Sequence, residues 1–259
     1  MIKKIFILEN KKIEGIEIEK EKIENLLKSC GKIVEKEYKN PDLILAMGGD
    51  GTILKAINLL KNNKTLIYGI KYGKVGFLTN PSGNIEEKIL RIINGKFKIS
   101  ERILIELIVK REEKNIFKNR ALNDFLIQRK GIRIIDIKVE IDKERIFDFR
   151  GDGIIISTPT GSTAYSLSVG GPIIHPDIEC FLLTPFSPYT LSIRPIVIPS
   201  DEKIKIRVSP ESKIICDGQK EFDVTRQDII EIKKSKLTAK LIIEDNFFSK
   251  LQKKFNFGK

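Results

Sequence analysis

The sequence predicts an α/β domain built on a mostly parallel sheet, followed by a β-rich second half and a closing helix. Three observations carry that expectation. From residue 1 to about 98, strand-like and helix-like segments alternate, and alternating β and α units imply a parallel sheet covered by helices. After about Ser100 the apolar period drops to two. Across residues 246–255 a helical spacing returns through Phe247, Phe248, Leu251 and Phe255, an aromatic face whose simplest use is docking back on the first domain.

Taken in order, the apolar run 2–8 predicts the first strand. Residues 18–30 predict a helix, with Ile23, Leu26 and Leu27 on one face and Gly31 as its stop. Pro41 punctuates the chain before the apolar run 43–47, which leads into Gly48-Gly49-Asp50-Gly51-Thr52 and a helix through Ile53, Leu54, Ile57 and Leu60. Residues 66–70 supply the next strand. Asn84 can cap the helix that follows, with Glu87 completing a capping box and Gly95 ending it. In the second half Ile103, Ile105 and Leu107 alternate, 121–128 reads as one strand, and Ile137, Val139 and Ile141 alternate before a turn at 142–144. Further strands are predicted at 154–157, 195–198, 204–208, 213–216 and 237–243. The expected domains are 1–98, carrying the glycine turn, 99–243, and a 244–259 segment that packs on the first.

With 259 residues the chain can form one large domain or two modest ones. No apolar run reaches the roughly 20 residues of a membrane helix, and Glu9 and Asn10 interrupt the short apolar start before it could act as a signal core. Cys30, Cys180 and Cys216 are widely spaced and form no CxxC pair, which points to a reducing cytoplasm and away from zinc. The single histidine, His175, excludes a His-rich metal cage and leaves proton transfer to carboxylates. A net charge of +12 favours polyanions: nucleic acid, anionic membrane or nucleotides. However, the lysines are spread along the whole chain, without the clustered patch and interleaved aromatics of a nucleic-acid binder. The abundance of isoleucine, lysine and glutamate would suit a thermophile.

Three groups of residues point to chemistry. First, the glycines at 48–52 let backbone N–H groups approach a phosphate, and the helix that follows favours negative charge; this is no Walker A loop, since its spacing and lysine are absent. Asp50 there would repel a polyanion unless a metal intervenes or it takes a proton; the alternative is a helix cap from Asp50 or Thr52. Second, the hydroxyl-rich run 158–168, followed by Val169-Gly170-Gly171-Pro172, offers several donors to one ligand, with Tyr165 as a flat surface for a base. Third, Asn123-Asp124, Arg150-Gly151-Asp152-Gly153 and Asp217-Gly218-Gln219 place acids where a ribose diol could be held, although Asp217-Gly218 could equally be a hairpin turn.

Together these segments resemble the NAD kinase family. The resemblance covers GGDGT at 48–52, GFLT at 76–79, the Asn-acid pair at 123–124, RGDG at 150–153, STPTGSTAYSLS at 157–168, GGPI at 170–173, the stretch 184–195 and DGQ at 217–219. GGDGT is shared with lipid kinases and 6-phosphofructokinases, whereas TPTGSTAY with the Asn-acid pair is more specific. The resemblance implies a Rossmann-like N-terminal domain, a β-sandwich-like C-terminal domain that binds NAD, and an active site between them in a homodimer or homotetramer. It implies that the chain phosphorylates the 2′-hydroxyl of the adenosine ribose of NAD, using ATP or inorganic polyphosphate and Mg²⁺ held mainly by the phosphates.

By matching position, Asp50 is the expected base. The expected NAD contacts are Asp50, Gly51, Phe77, Asn123, Asp124, Arg133, Arg150, Asp152, Thr160, Thr163, Ala164, Tyr165, Ser166, Leu167, Ser168 and Gln219, and the expected phosphate contacts are Gly48, Gly49, Gly51, Thr52 and Lys55. Lys71, Val169 and Tyr189 stand where the family often has asparagine, alanine and histidine, and Asp124 where glutamate is more frequent; these departures bear on donor and redox-state preference. A lipid kinase would need an apolar acceptor cleft, which the run 158–168 does not suit. A non-catalytic dinucleotide sensor could dispense with Asp50.

Overall fold

The computed structural model describes residues 2–72, 76–81 and 83–256. The chain divides into two compact units, Met1–Arg102 with Leu237–Lys259, and Ile103–Lys236.

The first unit opens with β1 (Lys4–Glu9), α1 (Ile16–Ser29), β2 (Ile33–Glu35), β3 (Leu43–Gly48), α2 (Asp50–Leu59), β4 (Leu66–Lys71) and α3 (Ile85–Ile93). Its strands run parallel in the order β2-β1-β3-β4. Every residue of β3 is buried, as a central parallel strand with both faces covered requires. Ile5, Leu27, Leu43, Leu45, Met47 and Tyr68 lie at the heart of the core. Growth of the sheet reverses between β1 and β3: β1 hands on to β2 on one side and β3 to β4 on the other. The carboxyl ends of strands at such a switch point are where open α/β sheets bind ligands, and the glycine turn 48–52 sits there. The cap on α3 forms as the sequence predicts, with the Asn84 side chain accepting from Glu87 N at 3.2 Å and Gly95 at φ 77° just past the end.

The chain then passes through β5 (Lys98–Arg111) into the second unit: β6 (Lys114–Ala121), β7 (Asp124–Arg129), β8 (Ile135–Ile141), β9 (Glu144–Ser157), the short α4 (Tyr165–Ser168), β10 (Cys180–Pro188), β11 (Ile196–Pro199), β12 (Ile204–Ser209), β13 (Ser212–Cys216), β14 (Lys220–Val224) and the first half of β15 (Ile229–Ile243). These strands pair antiparallel in the order β14-β13-β7-β9-β8-β12-β15, while β10 also pairs with β9 and β11. On β8 the residues Ile135, Ile137, Val139 and Ile141 turn inward in strict alternation and join Phe125, Ile154, Ile156, Phe181 and Ile206 in one core. The single strand expected at 121–128 is interrupted: β6 ends at Ala121 and β7 begins at Asp124. The amides between them, of Leu122 and Asn123, donate to the Asp217 side chain.

The second half of β15 belongs to the first unit, where Lys240 and Leu241 pair in parallel with Leu66 and Ile67 of β4. The closing helix α5 (Phe247–Phe255) follows, capped by Asn246, whose side chain accepts from Ser249 N at 2.8 Å. Its predicted aromatic face is only partly used. The Phe255 ring packs 5.5 Å from Phe77, but Phe248 is 65% exposed and the one buried side chain of the helix is Lys250. Among the described residues no helix is long and apolar enough to cross a membrane.

Candidate active site

In the first unit the site is organised around Asp50. The helix α2 begins at Asp50 with Gly49 before it, and no side chain caps it, so the aspartate is not spent as a cap. Its carboxylate turns instead to the segment after β4. Oδ2 accepts from Phe77 N at 2.7 Å, and Oδ1 accepts from Leu78 N at 3.0 Å and Thr79 N at 3.2 Å. Three donors on two oxygens with about four acceptor positions leave one position, on Oδ2, for a ligand. Gly76 makes this approach possible, and Gly48 leaves room for Thr52 beneath the turn. A Cβ on Gly76 would lie 2.0 Å from Asp50 Oδ1, and one on Gly48 would lie 2.2 Å from Thr52 Oγ1. Motifs 48–52 and 76–79 are therefore two halves of one device: the first presents a carboxylate and the second holds it.

In the second unit the segments 122–124, 157–162 and 216–219 come together. Asp217 occupies a hairpin turn between β13 and β14, with φ 48° at Asp217 and 63° at Gly218, so the turn reading is correct. Yet its carboxylate also accepts from Leu122 N at 2.9 Å, Asn123 N at 2.8 Å and Asp124 N at 3.1 Å. It is a clamp on the backbone of the Asn-acid pair, and burial still holds its pKa above the ordinary carboxylate value against those three donors. From the other side Thr158 N donates to Asn123 O at 2.9 Å, and a Cβ on Gly161 would lie 2.1 Å from that same oxygen.

Asp124, 6% exposed as a residue, is thus fixed by its backbone, while its carboxyl group receives no hydrogen bond from any described residue. Burial, then the neighbouring Asp217 charge, push its pKa up to about 7. Directly across from it on β9 stands Ser157, fully buried, whose hydroxyl also lacks a partner among the described residues. A buried hydroxyl without a partner costs free energy that a polar ligand seated beside the Asp124 carboxyl would recover.

Models of the ATP-NAD kinase N-terminal and C-terminal domains match residues 4–97 and 122–243. The chain is similar to the NAD kinase of Ruminiclostridium cellulolyticum, 35% identical over 279 aligned positions covering 98% of each chain, and to that of Azotobacter vinelandii, 36% identical over 225 positions covering 84% of this chain and 76% of the relative. The solved structure of an NAD kinase from Archaeoglobus fulgidus in complex with ATP matches with a TM-score of 0.79 at 29% identity, covering 98% of this chain and 97% of that one. Yeast NADH kinase complexed with NADH shares the fold, with a TM-score of 0.90 at 23% identity, covering 100% of this chain and 89% of that one. This chain belongs to the NAD kinase family.

The other residues expected to serve an NAD kinase fall into distinct settings. Gly51 and Lys55 are exposed on α2, whereas Thr52 is buried beneath the turn. Asp152 pairs with Arg129 at 2.6 Å and Arg150 lies 3.4 Å from Asp136, both on β9; Arg133 is exposed in the loop before β8. Tyr165 is 40% exposed, its ring set edge-on to Phe186 at 5.7 Å. Much of the hydroxyl-rich run serves the turn itself. Ser166 Oγ lies 2.8 Å from Thr184 Oγ1, Thr163 Oγ1 donates to Thr160 O at 3.4 Å, and Ser162 Oγ donates to Pro159 O at 2.7 Å while accepting from Ile174 N at 3.0 Å. Ala164 and Leu167 are half-buried and Ser168 exposed, while the Gln219 amide closes the turn on Cys216 O at 2.8 Å. No sequence pattern assigns a separate role to Gly76, Ser157 or Lys250, or the clamp to Asp217. The glycine before Phe77 was the available signal for the first.

Proposed function

We propose that this NAD kinase transfers the terminal phosphoryl group of ATP to the 2′-hydroxyl of the adenosine ribose of NAD, with Asp50 as the general base. The observation that carries the reading is the Asp50 carboxylate itself, oriented by three backbone amides with one acceptor position left open on Oδ2. A base so held needs no reorganisation when the hydroxyl arrives, and it takes the proton as the oxygen attacks phosphorus in line. The N–H groups at the start of α2 and the glycine turn favour the phosphates.

In the second unit, Asp124 and Ser157 receive ribose hydroxyls. An ionised carboxylate accepts from both hydroxyls of a diol, so recognition is strongest once Asp124 has lost its proton. Tyr165 offers its exposed ring to a base.

Mg²⁺ carried mainly by the donor's phosphates, the usual arrangement for this ion, is the proposed cofactor. When bound there, Mg²⁺ neutralises charge on the transferring group. Inorganic polyphosphate is the alternative donor, a homodimer or homotetramer the proposed assembly, and the cytoplasm, consistent with the free thiols of Cys30, Cys180 and Cys216, the proposed compartment.

Incubating the purified protein with Mg²⁺, ATP or polyphosphate, and NAD or NADH, and scoring with an NADP-specific dehydrogenase, tests this directly. NADP from ATP and NAD is the expected product. Absence of product in every combination would refute the reading.

A further inference from the structure

The closing helix α5 buries a single side chain, and it is a lysine. Lys250 is 9% exposed, and its Nζ donates to Phe77 O at 2.8 Å and Thr79 O at 3.2 Å. Those carbonyls belong to the three-residue segment whose amides hold Asp50. The carbonyl of Phe77 and the amide of Leu78 are parts of one planar peptide unit, so a bond to one fixes the direction of the other. Lys250 grips that unit at its oxygen, and Asp50 Oδ1 receives its N–H at 3.0 Å on the opposite side.

The far end of the segment is secured separately. The Asn80 side chain donates to Ile242 O at 2.9 Å and accepts from Glu244 N at 2.9 Å, tying the chain to β15. Lys250 is thus not what attaches the segment to the unit. An ammonium taken this far out of water must be compensated by hydrogen bonds, and the two carbonyls provide them.

We propose that Lys250 is a positioning residue for Asp50: by holding the Phe77 and Thr79 carbonyls it keeps the 77–79 amides aimed at the carboxylate, so that α5 sets the orientation of the catalytic base. The proposal rests on the reading of Asp50 as that base.

Turnover is measured for Lys250→Met, which keeps the apolar stem but has no donor, and for Lys250→Arg, which keeps donors and charge. Melting curves establish that each is folded. K250M is expected to lower kcat about 10- to 100-fold with KM for NAD changed less than about threefold, as a small misplacement of a reacting group does, and K250R to recover most of the loss. In an Asp50→Asn background the same K250M change is expected to cost less than about twofold, because a residue that acts through Asp50 has nothing left to position. If K250M does not fold, Lys250→Gln, with an N–H donor on a shorter arm, takes its place in the cycle under the same expectation. A kcat for K250M within about twofold of the wild type, or a loss of equal size in both backgrounds, would overturn the proposal. The two readings fail separately: unaltered turnover in Asp50→Asn alone removes the base, whereas an impaired Asp50→Asn with additive K250M removes only the role of Lys250.

Discussion

The molecule treats its two principal carboxyl groups in opposite ways. Asp50 is satisfied before any ligand arrives, with three backbone amides on its oxygens and a buried lysine behind those amides. Asp124 is held only through its backbone, by the Asp217 clamp, and its carboxyl group is buried without a hydrogen bond from any described residue. The difference matches the roles proposed for them, a base at Asp50 and a ribose-recognition group at Asp124. A base must keep its aim through every turnover, so the fold supplies its partners; a recognition group gains more by leaving its partners to the ligand, because the desolvation already incurred in the free protein sharpens the preference for a matching diol.

The largest effect is expected where the aim is spoiled. Gly76→Val places atoms where Asp50 Oδ1 now sits, a Cβ alone approaching to 2.0 Å, so the carboxylate must leave its amides. Turnover should fall about a thousandfold, the middle of the range for losing a positioned base, while the melting temperature moves by only a few degrees. Normal turnover in G76V would break the comparison on its Asp50 side.

The next largest effect concerns pH. Asp124 in the folded chain holds a proton up to about 7, whereas in the unfolded chain it releases it near the ordinary carboxylate value of 3.8. The folded state therefore binds more protons inside that window, and the contribution to stability is fully present below it and declines as pH rises from about 4 to 7. In urea unfolding of the ligand-free protein, this group should cost roughly 4 kcal/mol between pH 4 and pH 8, read as the change with pH in the stability difference between the wild type and Asp124→Asn. The same titration predicts a KM for NAD that falls as pH rises through 7 in the wild type but stays flat in D124N. A wild type and D124N whose stabilities change in parallel between pH 4 and pH 8 would show that Asp124 is hydrated after all.

A smaller effect sharpens the clamp. Asp217→Asn removes an acceptor from a site with three convergent amides and sets an N–H₂ against them, a change expected to cost about 2 kcal/mol in urea unfolding. NAD binding should weaken with it, since Asn123 and Asp124 lose their register, and a variant that loses stability while keeping NAD affinity would confine Asp217 to the turn.

The alternation of apolar runs was enough to foresee the parallel sheet, and the glycines after β3 were enough to mark its ligand-binding end. Asn84 was legible as a cap because capping is local. Other strands were hidden: β6 and β14 are polar and exposed along much of their length, and β10 carries Pro185 and Pro188, so none shows a clean period. The contacts that no motif reveals share a different cause. Gly76 meets Asp50, Asp217 meets Leu122, and Lys250 meets Phe77 across distances in sequence that no local pattern reports. Lys250 was the hardest to see, because a lysine among phenylalanines on a short helix reads as the solvated edge of an amphipathic face, its stem packed and its charge in water.

The most direct test of the central claim is Asp50→Asn under single-turnover conditions with saturating ATP and Mg²⁺. NAD should bind with a Kd within about threefold of the wild type while NADP forms about a thousandfold more slowly, the loss expected when a base is removed and binding is spared. NADP formation at the wild-type rate would contradict the account.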